Sequence, residues 1–142
     1  MDARKISDLV RSIGIKQRMM ADTALRELGI NAVQGRVIGY IADHQDHGVI
    51  QRELATAVQR RSASITSVLQ GLEKRGLIER RVPADNARNK QLYLTAAGKA
   101  MVVQYDSLAQ KINEQTVDGL TEAEMVDVIA LLTRLDQNLP EI

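Results

Sequence analysis

Apolar residues recur along this chain at two different periods, and the change of period divides it. From Ala3 to about Leu28, the residues Ile6, Leu9, Val10, Ile13, Met20, Ala24 and Leu28 keep helical spacing, and Gly29 is placed to end that helix as a C-terminal cap. Asn31 is a good N-cap for a second helix carrying Val33, Val37, Ile38 and Ile41 on one face, which runs out in the polar stretch Asp43 to Gly48. A short third helix is expected from about Gln51 to Val58, with Leu54, Ala55 and Val58 apolar. Ser62 or Ser64 can cap a fourth, whose stripe is Ile65, Val68, Leu69 and Leu72 and which stops at Gly76. The period then shortens. Ile78 to Val82 and Gln91 to Leu94 read as two strands joined by the polar tip Pro83 to Lys90, which makes a hairpin. Thr95 caps a long fifth helix to about Val117, with Met101, Tyr105, Leu108 and Ile112 in line. Thr121 and Glu124 form a capping box for the last helix, whose stripe is Met125, Val128, Ile129, Leu132 and Leu135.

Helices followed by a hairpin in this order define the fold class: mainly α with a small β-hairpin wing, a winged helix-turn-helix flanked by terminal helices. The 142 residues contain no repeat, low-complexity tract or linker, so 1–142 reads as a single domain. Its winged part spans about 30–98. The stripes of 1–28 and 99–142 offer more apolar surface than one such core can cover, and are expected to pair two copies of the chain in an intermolecular bundle.

Composition narrows the chemistry. There is no Cys, which removes disulfides, Cys-based zinc sites and thiol sensing. Phe and Trp are absent and Tyr is present three times, so the core is aliphatic and base stacking on single strands is disfavoured. No segment is apolar enough for a signal peptide or a membrane span, and a cytoplasmic protein with no membrane partner is expected. The net charge of +1 hides an asymmetry. Nine Lys/Arg against four Asp/Glu between Arg52 and Lys90 give +5, and two against eight from Ala100 to Ile142 give −6. One end suits a polyanion and the other does not.

The fourth helix turns Ser62, Ala63, Ser64, Thr66, Ser67 and Gln70 away from its apolar stripe. Small hydroxyl residues at the start of a helix permit close approach to a major groove, and the helix N-terminus suits phosphate. Arg60, Arg61, Lys74, Arg75, Arg80 and Arg81 flank that surface and can neutralise phosphates, while the hairpin tip offers Arg88 and Lys90 to a narrow minor groove.

The run Leu54-Ala55, then Ser64 to Arg80 with its Leu72-Glu73-Lys74-Arg75-Gly76-Leu77-Ile78-Glu79-Arg80 core, then Asp85, Arg88 and Leu92-Tyr93-Leu94-Thr95-Ala96-Ala97-Gly98, resembles the MarR family of bacterial regulators. The likeness extends over nearly the whole chain. It implies a homodimer on a palindromic operator in double-stranded DNA. Ser64, Thr66 and Ser67 would lie in the major groove and Arg88 in the minor groove. It further implies repression relieved by a small aromatic or phenolic effector, bound in a pocket lined by the first, second and fifth helices. The alternative is a winged-helix protein–protein module without DNA binding. No nucleophile–base pair, phosphate loop or paired carboxylates point to an enzyme, and no motif calls for a cofactor. His44 and His47, with Asp43 and Asp46, tempt a metal reading, but they sit at a helix end and lack further ligands. Asp85 is expected to orient Arg88 or shape the wing turn.

Overall fold

The computed structural model describes residues 2–83 and 90–142, without the side chain of Ser62. Its elements are α1 (Ala3–Glu27), α2 (Ala32–His44), a single 3-10 turn (Gln45–His47), β1 (Val49–Ile50), α3 (Gln51–Ala57), α4 (Ser62–Lys74), β2 (Ile78–Arg81), β3 (Gln91–Leu94), α5 (Ala96–Thr116) and α6 (Glu122–Gln137). Two compact units divide the chain, Met1–Ala109 and Gln110–Ile142.

In the first unit the helix ends follow from local hydrogen bonding. Gly29 takes a left-handed φ of 77°. It closes α1 with two bonds, Gly29 N–H to the Arg26 carbonyl at 2.9 Å and Ile30 N–H to the Leu25 carbonyl at 3.0 Å. These satisfy carbonyls that the helix itself leaves unpaired. Asn31 and Gln34 then exchange side-chain-to-backbone bonds of 2.9 Å each to start α2. The core is aliphatic throughout: Val37, Ile38, Ile41, Leu54, Ile65, Leu69, Leu72, Leu92 and Leu94 are all buried.

The sheet is larger than the expected hairpin. It has three antiparallel strands in the order β1-β3-β2. β1 pairs Val49 with Leu92, and β2 pairs Ile78 with Leu94 and Arg80 with Leu92. Two residues are too few to display a period-2 alternation, which is why β1 was not legible in the sequence. A second correction concerns α4. Neither Ser62 nor Ser64 caps it; Arg61 is the N-cap and makes no side-chain capping bond.

In the second unit, Thr121 and Glu124 form the expected capping box, with bonds of 3.0 and 3.1 Å. α6 leaves Val126, Ile129, Leu131 and Leu132 about half or more exposed. No helix among the described residues is long and apolar enough to cross a membrane.

Candidate nucleic-acid interface

The joint between α3 and α4 sets the interface. Val58 is buried and ends α3, and Gln59 follows in the left-handed region at φ 54°. Gln59 N–H reaches the Thr56 carbonyl at 3.2 Å and Arg60 N–H reaches the Ala55 carbonyl at 3.0 Å. The chain therefore reverses in a few residues and launches α4 across the face of α3. Ile65, Leu69 and Leu72 are wholly buried. That fixes which side of α4 must look outward: Ala63, Ser67, Gln70 and Lys74 are exposed at helical spacing, with Ser64 beside them. Arg60 and Arg61 are exposed just before the helix. The first amide bonded back into α4 is that of Ile65, to the Arg61 carbonyl at 3.1 Å. The amides of the first turn and the positive end of the helix dipole thus face the side where Arg60 and Arg61 stand.

Other expected contacts are placed differently. Thr66 is half-buried and its hydroxyl receives Gln51 Nε2 at 2.5 Å. Arg80 is half-buried and its Nε donates to Glu73 Oε1 at 2.6 Å. The register explains this: Arg80 shares with Ile78 the face of β2 that meets Leu92 and Leu94, the inner face of the sheet. Arg81 lies on the outer face, with its guanidinium 4.1 Å from the centre of the Tyr93 ring and bonded to Glu79 at 2.6 Å. Arg75 is committed elsewhere, its Nη1 donating to the Gly29 carbonyl at 2.6 Å. Lys90 is exposed at the foot of β3. Asp85 and Arg88 lie outside the described residues. Gln51, Glu73 and Tyr93 were not singled out from the sequence, although alternation along β2 already puts Arg80 inward beside Ile78.

A second polar cluster joins α2 to α3. Tyr40 Oη donates to Glu53 Oε2 at 2.9 Å, Ile50 N–H donates to Glu53 Oε1 at 3.0 Å, and His47 Nε2 stands 4.0 Å from the same carboxylate. Burial pushes the Glu53 carboxyl up, but the Ile50 amide, the Tyr40 hydroxyl and the two nearby histidines together hold it below its ordinary value. The Tyr40 hydroxyl is raised, chiefly because it donates to that carboxylate. His44 stacks on Tyr40 with ring centres 4.0 Å apart. Among the described residues no group of three or more His, Asp or Glu is arranged to hold a metal ion.

A cleft of about 410 Å³ opens between α1, α2 and the start of α5. Leu25, Ile38, Met101, Val102 and Tyr105 give it apolar walls, and Asp22, Asp43 and Asp106 line it with three carboxylates against the single guanidinium of Arg36.

Packed helices, an outward-facing second helix of a helix-turn-helix and a three-stranded wing sheet define a winged-helix protein. The family model described as MarR family matches residues 28–88. The chain is 41% identical to a protein of Clostridium acetobutylicum assigned to the MarR family of transcriptional regulators, over 95% of this chain and 98% of that one, with a TM-score of 0.83. It is 32% identical to S. aureus MepR in a MepR–DNA complex, over 94% and 99% of the two chains, with a TM-score of 0.81. It is likewise 32% identical to S. aureus MepR bound to ethidium bromide, over 94% and 96%, with a TM-score of 0.74. The chain belongs to the MarR family of transcription regulators.

Proposed function

We propose that this regulator binds duplex DNA as a homodimer, with α4 in the major groove and the wing 82–90 against the minor groove. The observation that carries the reading is the exposed row Ala63, Ser64, Ser67, Gln70 and Lys74, fixed outward by a buried stripe and flanked by Arg60, Arg61 and the open helix N-terminus. Small side chains let the helix approach base edges, and the cations meet phosphate. Arg81 and Lys90 extend the contacts, and Arg88 and Asp85, from the segment between β2 and β3, are included in the proposal. The MepR–DNA complex supports DNA as the partner.

Two copies are needed because one recognition helix reads only a few base pairs. The residues Ile6, Leu9, Val10 and Ile13 of α1 are about half exposed, as is much of the α6 stripe, and these 1–28 and 99–142 segments are the proposed dimer faces. A two-fold dimer places its α4 helices about one DNA turn, roughly 34 Å, apart and reads a palindrome. A dimer seated there blocks other proteins from the same DNA, so repression is the proposed outcome. The cleft between α1, α2 and α5 would take the releasing ligand. Its three carboxylates and apolar walls favour a flat organic cation over the phenolic effector expected from the resemblance, and MepR bound to ethidium bromide supports that charge.

The test is selection from random duplex DNA, then titration of the enriched duplex at several salt concentrations with and without ethidium. A palindrome, affinity falling by a log–log slope of about −0.9 per neutralised phosphate, and release by the dye are expected. Absence of salt-dependent binding to any duplex would turn the reading toward a protein-interaction module.

A further inference from the structure

Among the described residues, Arg80 is the basic residue of the proposed DNA face that the sheet register turns inward, and its charge is met by an acid on the recognition helix itself. Its side chain is 25% exposed and that of Glu73 is 33%. Besides Glu73 at 2.6 Å, the guanidinium reaches Gln51 Oε1 through Nη1 at 3.5 Å, and Gln51 Nε2 in turn donates to Thr66 at 2.5 Å. Thr66 and Glu73 both belong to α4, seven residues apart, which is two turns on the same face. The path Thr66–Gln51–Arg80–Glu73 therefore leaves α4, passes through the start of α3 and the strand β2, and returns to α4 about 10 Å further along.

Such a closed path constrains what the apolar core does not. Burial of Ile65, Leu69 and Leu72 holds α4 down, but hydrophobic contact has no direction and tolerates small rotations of a helix in its groove. Rotation of α4 about its axis would carry Thr66 and Glu73 the same way and stretch both polar links at once. We infer that Glu73, Arg80 and Gln51 are positioning residues that set the rotation and pitch of the recognition helix against the wing, and that Arg80 does not serve as a phosphate contact. The pairing of Arg81 with Glu79 is different. Those residues are two apart on one strand, with side chains 59% and 46% exposed, and join no separate elements.

A carboxylate on the DNA-facing helix makes the two roles separable. Coulomb repulsion alone says that removing Glu73 should tighten binding to a polyanion. Positioning says the opposite. The inference rests on DNA binding by α4, so the experiment measures both. Full-length wild type, Glu73→Ala, Glu73→Gln and Arg80→Lys are titrated against the enriched duplex across salt concentrations, and urea midpoints establish that each is folded. Glu73→Ala is expected to weaken binding about tenfold with an unchanged salt slope, despite its more positive charge. Glu73→Gln keeps an acceptor for Arg80 Nε–H and should recover most of the affinity. Arg80→Lys keeps the charge but loses the fork, and should fall as Glu73→Ala does. Binding by Glu73→Ala equal to or tighter than wild type overturns the proposal, and so does a full-strength Arg80→Lys. A DNA-free readout separates the two readings. The Arg80 Nε–H resonance should be resolved and slow to exchange in wild type and lost in Glu73→Ala. If no duplex binds but this signal behaves so, the DNA reading fails and the ring stands; a fast-exchanging Nε–H in wild type refutes the ring directly.

Discussion

Replacing Gly98 by Ala should destabilise the protein, although helix propensity argues the reverse. Gly98 is buried in the first turn of α5, where the helix is pressed onto the turn between α4 and β2. A methyl there would fall well inside van der Waals distance of the Leu77 carbonyl oxygen, a backbone atom that no rotamer change can move. The same oxygen already accepts from Thr95 N–H at 3.1 Å. Thr95 Oγ1 donates to the Gly76 carbonyl at 2.6 Å and accepts from Gly98 N–H at 3.1 Å. Moving α5 away to admit the methyl strains all three bonds. Helix propensity returns at most about 1 kcal/mol. Overpacking costs about 1–3 kcal/mol, and each weakened bond about 1 kcal/mol more. The net loss is about 3–5 kcal/mol, or a Tm lower by about 10–20 °C for a chain of this size. Urea unfolding followed by far-ultraviolet circular dichroism, at one fixed protein concentration so that any self-association is held constant, measures it. A Gly98→Ala protein as stable as wild type, or more so, would refute the close approach of α5 to Leu77.

Gln59→Gly should stabilise by about 0.5–1 kcal/mol, since the left-handed backbone strains a side chain more than glycine's extra unfolded freedom costs; a lower urea midpoint would show that the Gln59 side chain contributes something else. Leu69→Ala, at a wholly buried position, should lower the unfolding free energy by about 2–5 kcal/mol in the same assay. Tyr40→Phe tests the α2–α3 joint. Because the folded Glu53 carboxyl lies below its ordinary 4.5, its contribution is present above that value and lost as pH falls through the folded one. Without the Tyr40 donor that acid loss should shrink, so urea midpoints of variant and wild type should converge toward low pH. A constant gap across the acid range excludes the linkage. Tyr40 itself, raised from 10.0, contributes below that pH and loses its contribution as pH rises through the folded value, so the variant should lack this alkaline step. Ile129→Lys, on the exposed stripe of α6, should shift sedimentation of the proposed dimer toward a monomer; an unchanged sedimentation coefficient would take α6 out of the proposed interface.

Much of the architecture was legible because long amphipathic stripes and glycine stops leave strong local signals. Gly29, Asn31, Thr95 and Thr121 end or begin helices where the sequence placed them, and β3 spans Gln91–Leu94 as expected. One feature that was missed depends on residues far apart in the chain. β1 is defined by its partner in β3, not by its own two residues. The start of α4 misled because a serine is a good cap only where its own backbone is extended just before the helix, and here Arg61 holds that position. For the candidate site, the outward row of α4 followed directly from its stripe. The different surroundings of Arg80 and Arg81 did not, because a list of basic residues ignores strand alternation. Once β2 is aligned with β3, one guanidinium must face Leu92 and the other Tyr93.

The scarcity of rings has a practical consequence. With no Trp or Phe, each of the three tyrosines reports on a separate place: Tyr105 on the cleft wall, Tyr93 beneath Arg81 in the wing sheet, and Tyr40 against Glu53 at the α2–α3 joint. Fluorotyrosine incorporated through the whole chain would give three fluorine resonances, one from each place. A titration with dye and another with duplex would then show, in a single spectrum each, whether occupation of the cleft is felt at the joint and in the wing sheet.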